Sequence, residues 1–367
     1  MLLDERLLED PGDAIVAVAA LLLVLLSPFA APPKRSQISA AADADRVAAS
    51  FSREWPDLYT RLVGLERAHG VLYGALLQGR GKVKEADVYR LMTQRLAAAA
   101  TTSRSDPEAE QGYAALGARA AEVIRRTHVF HREVLAIFAG VDPSGRERAL
   151  DEAVERYLSR PDVALPDVPK DMTILYDHPY TSFVVEGFNV RRLQPYPNLT
   201  GFVWASHWFQ LAVQEPLEVS ADSTERLEGL KIVTERFQRK LSNGKPPDAY
   251  PTELPLAPSI APGLVSAHQR AAAVIDNLNM MQDVLADILV HPKVGNVRAA
   301  IDEVIAQFTD RNYRVIEVDD WITMALRHSI FAQGGPALGT MTQTDRNSSG
   351  HFQHARGARS IPPGGMR

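Results

Sequence analysis

Between residues 58 and 76 the chain repeats one step. Leu58, Leu62, Leu65, His69, Leu72 and Leu76 follow one another at intervals of four and three. That spacing matches the turn of an α-helix and gathers all six side chains into a single stripe, which has to be buried against another element. A strand needs alternation by two, which these residues do not show. The same rhythm predicts a second helix over residues 85–100, where Val88, Leu91 and Met92 share a face and an alanine-rich end favours helix. Asp106-Pro107 supplies an N-cap followed by a first-turn proline for a long third helix, expected to reach Ala139. Its rows are Ile124, His128, His131, Leu135, Phe138 and, alongside, Val123, Thr127, Phe130, Val134, Ile137. Gly140 ends it. Ser144 with Glu147 forms a capping box for a fourth helix ending near Ser159. Four helices with short connections predict an antiparallel four-helix bundle over residues 37–160.

Residues 161–198 break the rhythm with prolines at 161, 166, 169, 179, 195 and 197 and read as an ordered, proline- and aromatic-rich linker, with one short strand from Ser182 to Val185. A second helical domain is expected over 199–333. It opens with a helix from Leu199 to Leu217, apolar nearly all round, as suits the middle of a domain. Asp222 and Glu225 offer a capping box for a helix to Leu241, and a proline-rich loop follows from Pro246 to Pro262. The stretch from Ala267 to Val290 steps again by four and three through Val274, Leu278, Met281, Leu285 and Ile288 until His291-Pro292 stops it. Helices over 296–308 and 320–332, with 314–318 extended between them, complete the domain. Residues 334–367, rich in Gly, Ser, Thr, Arg and Gln, lack periodicity and read as a disordered tail. The expected fold is therefore all-α, with two helical-bundle domains joined by the linker.

Residues 1–36 form an acidic leader and a membrane helix. The uncharged run from Ala14 to Ala31 spans about 27 Å at the helical rise of about 1.5 Å per residue, close to the thickness of a bilayer core. A secretory signal starts basic, whereas this leader carries Asp4, Glu5, Glu9, Asp10 and Asp13 against Arg6 alone, and Pro32-Pro33 disfavours cleavage after the run. Lys34 and Arg35 on its carboxyl side place the body in the cytoplasm by the positive-inside rule, a periplasmic or extracellular body being the alternative. The absence of cysteine excludes thiol catalysis, disulfide scaffolds and iron–sulfur ligation. Forty basic against forty-five acidic side chains, net −5, give no field that draws the chain to nucleic acid.

Two polar constellations stand out. Glu66 and His69 lie three apart on the first helix, and His128 and His131 three apart on the third, so antiparallel packing brings the four together. One carboxylate and three imidazoles make a donor set for iron, zinc or copper, and two of the histidines a donor pair for haem. The Glu-x-x-His at 66–69 resembles half of the ferritin-like di-iron pattern. The other helix carries His-x-x-His in place of the second half, so no activity follows from the resemblance. The plainer reading is structural: His69 fills an apolar row, and His128 and His131 border a face shared with Arg125, Arg126 and Arg132.

The second constellation is His207, Gln210 and Gln214, a polar seam on a helix otherwise built of Trp204, Trp208 and their apolar neighbours. Its expected partners are Asp177, His178 and Glu186 of the linker, or a small ligand held between the two; the alternative is an internal network that orients the linker. Asp276, Asp283 and Asp287 are expected on the solvated face of their helix, and Asp319-Asp320 as an N-cap.

No phosphate-binding glycine loop, nucleophile elbow or His-Glu-x-x-His is present. The sequence therefore points to a non-enzymatic, membrane-anchored binding or scaffolding protein that contacts a protein partner or a second copy of itself. A metal- or haem-binding bundle, including a redox-active one, is the alternative, and a hydrolase built around His207 is a third reading.

Overall fold

The computed structural model describes residues 50–79, 82–98, 106–186, 189–192, 195–220, 222–242 and 254–329. The leader, the apolar run 14–31 and the tail lie outside these residues. The described chain is all-α apart from one short hairpin. Its first helices are α1 (Pro56–Gly79), α2 (Glu85–Ala98), α3 (Pro107–Leu116), α4 (Ala118–Gly140) and α5 (Pro143–Leu158). After the single turn α6 (Thr173–Tyr176), strands β1 (Phe183–Glu186) and β2 (Asn189–Arg192) pair antiparallel, Phe183 opposite Arg192. Then come α7 (Pro197–Ala212), α8 (Gln214–Val219), α9 (Ser223–Ser242), α10 (Ala257–Ile260), α11 (Pro262–Ala267), α12 (Gln269–Val290), α13 (Val297–Thr309) and α14 (Val318–Ser329).

Local chemistry explains most boundaries. Asp106 caps α3 by accepting the Ala109 amide at 3.2 Å, with Pro107 behind it. The single long helix expected from here is broken: Gly117, at φ +108°, separates α3 from α4, in a region of backbone space that favours glycine. The break lets α3 fold back along α1 in close contact. There a Cβ on Gly112 would lie 1.8 Å from the Gly70 carbonyl oxygen, so the two backbones meet directly. The capping box expected at Ser144 is replaced by Asp142 preceding Pro143, without a side-chain cap bond. At α9 the Asp222 carboxylate does accept from the Thr224 and Glu225 amides, at 2.8 and 3.0 Å. The helix expected over 199–217 is divided at Val213 into α7 and α8, and the loop expected over 246–262 contains α10. Asp319 and Asp320 lie in the first turn of α14, where their charge favours the helix start, and do not precede it as an N-cap.

The buried apolar side chains make one contiguous cluster from Phe51 to Ala325, to which helices on both sides of residues 161–198 contribute. At its centre run α12, which touches α1, α4 and α5, and α7, which touches α1, α2 and α9. Both are buried nearly all round, as their composition requires. The expectation for Asp276, Asp283 and Asp287 is overturned. They are buried at 0%, 4% and 2% exposure, because Ala273, Met280 and Val284 on the same side of the helix are buried too and α12 has no face left for solvent. Among the described residues no helix is long and apolar enough to cross a membrane.

Candidate functional site

Where α1, α4, α7 and α12 meet, the core turns polar. His69 and His207 are fully buried, and His128, Tyr73, Gln210, Asn279 and Gln282 nearly or fully so. The His69 ring stacks on His207 with centroids 5.4 Å apart and planes 20° apart, and on His128 at 6.4 Å and 26°. Tyr73, one turn along α1, also stacks on His69, at 6.3 Å. His207 Nε2 lies 3.1 Å from Gln282 Oε1, and since a carbonyl oxygen only accepts, this nitrogen donates.

The environment holds these imidazoles neutral. Burial pushes the His69 ring down to about 3, helped by the neighbouring His207, and His131 to about 4 against the opposing pull of the Gln210 carbonyl. His128 is driven well below the ordinary range by burial first and by His69 second. Burial also raises the Tyr73 hydroxyl. At neutral pH the rings of His69, His128 and His131 are therefore uncharged.

Many of these polar atoms meet no hydrogen-bond partner. They are Nε2 of His128, Nε2 of Gln210 and both amide atoms of Gln214 and of Asn279, whereas the His69 ring meets the Leu65 backbone carbonyl and the Tyr73 hydroxyl meets the Gln282 amide. Buried polar groups in proteins are almost always matched, so such a concentration in one layer is unusual.

The grouping differs from the one expected at Glu66, His69, His128 and His131. Glu66 forms an ion pair with Arg132 of α4, and His131 Nε2 donates to the Gln210 carbonyl at 3.0 Å. Only His69 and His128 of that set come together, and the third ring beside them, His207, belongs to the other constellation. Among the described residues no group of three or more His, Asp or Glu has its donor atoms gathered around a metal position.

The second constellation also divides. Asp177 pairs with Arg314 at 2.7 Å on the surface, and His178 lies 3.6 Å from Asp287, which accepts the Ser182 amide at 2.9 Å. Through His178 and Ser182 the linker reaches α12, and the side chain of Glu186 lies outside the described residues. Trp204 and Trp208 face the other way, where the Lys240 ammonium sits 4.7 Å from each indole ring. His207 and Gln210 remain in the layer, with Gln214 buried just beyond.

Sequence reasoning missed Tyr73, Asn279 and Gln282. Tyr73 was findable, since it stands four residues from His69 on the same face. Asn279 and Gln282 were hidden by the apolar row read along the same helix. A cleft of about 290 Å³, lined by Leu76, Leu77, Ile288, Leu289, His291, Pro292, Val294 and Val297, opens between the carboxyl ends of α1 and α12. A second cavity of about 10 Å³ shares Leu76 with it and is lined also by Leu72, Tyr196, Leu199, Val203 and the buried Asp283. Compared with protein-family models, curated proteins and solved structures, the chain matches none of them.

Proposed function

We propose that this chain is a membrane-tethered helical binding protein whose guest occupies the buried polar layer between α1, α4, α7 and α12. One observation carries the reading: buried polar atoms without a partner, on His128, Gln210, Gln214 and Asn279, concentrate around the stacked rings of His69, His128 and His207. Each unmatched buried donor or acceptor costs about 1–3 kcal/mol, so a layer with this many is stabilised substantially by a guest that matches them. The large apolar side chains exposed among the described residues, Val129, Val219, Ile232, Val315 and Leu326, fall on five separate segments, which favours an internal guest over a scaffold's contact face. Residues 14–31 supply the tether, with the body in the cytoplasm.

The test is native mass spectrometry of full-length protein isolated without denaturant or chelator, with elemental analysis and a visible spectrum of the same sample. A native mass above the denatured mass by a fixed increment is the expected result. Identical masses with no bound element refute the reading. The tether is tested separately: the chain should stay in a carbonate-washed membrane pellet, and a reporter fused after Arg367 should be active only in its cytoplasmic form.

A further inference from the structure

We propose that Lys240 is a nucleophilic lysine that captures a carbonyl compound carrying an anionic group, through an imine formed beside Trp204 and Trp208. The site lies on a different side of α7 from His207 and stands independently of the guest in the polar layer. Trp204 and Trp208 are one turn apart on α7, and both are buried, at 8% and 5% exposure. α9 packs on α7 through Phe237 and Phe209, whose rings are 4.7 Å apart. Three residues beyond Phe237, Lys240 sets its ammonium 4.7 Å from each indole centroid.

A comparison of two lysines shows why this one is reactive. Burial draws both Lys170 and Lys240 down to about 8. Lys170 is fully buried and commits its ammonium to two carbonyls, so it is shielded. Lys240 is only partly buried, and among the described residues no acceptor and no carboxylate meets its Nζ. Its charged neighbours are Arg236 and Arg239 of α9, which push the amine down further after burial. α7 brings the two indoles and no charge, α2 brings Tyr89, whose hydroxyl donates to the Leu241 carbonyl at 3.0 Å, and α8 meets α9 at the far end, around Gly229. The indole faces attract the ammonium, but lost hydration outweighs them. About a quarter of such an amine is neutral at pH 7.5, ~200 times the share of an ordinary lysine near 10.4. An amine desolvated beside other cations is the arrangement that activates lysine toward carbonyl carbon. Its lone pair forms the nitrogen–carbon bond, the carbonyl oxygen takes a proton from nitrogen, and loss of water leaves the imine. The two guanidiniums favour a carbonyl compound that bears a carboxylate or phosphate.

The experiment treats full-length protein with glyoxylate and cyanoborohydride, which adds hydride to the imine carbon and fixes the adduct as a secondary amine. Peptide mass spectrometry then reads each lysine. At pH 7.5 Lys240 should be labelled at least ~10-fold faster than the exposed Lys82, Lys231 and Lys293, and at pH 10 that lead should shrink to within ~3-fold. Lys240→Arg should lose the fast adduct. Replacing both exposed arginines, Arg236→Gln with Arg239→Gln, should slow glyoxylate at least ~3-fold more than the neutral acetaldehyde. If Lys240→Arg does not fold, the rates at each lysine of the parent still decide. Labelling of Lys240 at the rate of the exposed lysines, a lead that does not shrink with pH, a fast adduct that persists in Lys240→Arg, or equal slowing of the two aldehydes overturns the assignment.

Discussion

Two stretches of α12, barely a turn apart, treat buried polarity in opposite ways. Asp276 and Asn277 are 0% exposed, and so are Asn279 and Gln282. In the first pair the polar groups find partners. Asp276 accepts the Ala257 amide at 2.9 Å on both oxygens and the Trp321 indole at 3.1 Å, tying α10 and α14 to α12. Asn277 donates to the carbonyls of Pro166 and Val168 at 2.9 Å and accepts the Lys170 amide at 3.2 Å, which fixes the linker on the same helix. In the second pair, both amide atoms of Asn279 have no partner, and Gln282 meets only other side chains of the layer, His207 and Tyr73. The same fold thus shows that it can satisfy a buried amide completely, so the unmatched layer is a local property and not slack packing throughout. The difference separates polar groups that build the structure from polar groups available to a guest.

The comparison is most exposed to failure at Asp276. Asp276→Ala strands two buried donors at about 1–3 kcal/mol each and should cost about 4 kcal/mol, read from urea unfolding midpoints. A loss below ~1 kcal/mol would erase the contrast. Asn277→Ala should cost less, about 3 kcal/mol, since two of the three groups it strands are carbonyls, which tolerate under-satisfaction better than N–H groups. It should also speed amide exchange across residues 166–170, with no comparable change at His69 or His207.

How much of this could be read from the sequence follows the range of the interactions. The α1 stripe, the Asp106 cap, the stop at Gly140 and the end of α12 at His291 depend on residues a few positions apart and were legible. The break at Gly117 was not, because Leu116 and Ala118 continue a helical pattern and only the close backbone packing of Gly112 on Gly70 shows why the chain turns back. The meeting of His69 with His128 was legible from their matching faces, whereas His207 comes from 138 residues beyond His69 and carries no sequence mark of its destination. Glu66 was drawn off by Arg132, and Asp177 by Arg314, through contacts across 66 and 137 residues. The three aspartates of α12 show the limit of charge patterning, since carboxylates usually mark a solvated face and here stand among Ala273, Met280 and Val284.

Lys170 sharpens the satisfied side of the comparison through pH. It is fully buried, and its ammonium donates to the carbonyls of Asp310 at 2.9 Å and Tyr313 at 2.7 Å. Burial pushes it down to about 8, only partly offset by Asp310. A base whose folded value lies below its unfolded one favours unfolding while both forms are protonated. That penalty is relieved as pH rises from about 8 toward the unfolded value near 10.4. Lys170 should therefore add about 1.4 kcal/mol per pH unit above 8, about 2 kcal/mol by pH 9.5. The measurement is the difference in stability between the parent and Lys170→Met across that window. A difference that does not change with pH means that the ammonium is solvated.

The smallest expected effect falls on the unmatched side. Asn279→Leu removes an amide with neither atom bonded and puts an apolar group of similar size in a core already lined by Leu278, Met280 and Met281. Replacing an unsatisfied buried polar group in this way is close to neutral or stabilising, so guest-free protein should change by no more than ~1 kcal/mol, in the stabilising direction. The same replacement at Asn277, two residues away, should be strongly destabilising. If Asn279→Leu instead costs as much as Asn277→Ala, then Asn279 is held by the fold, and the two stretches of α12 do the same work.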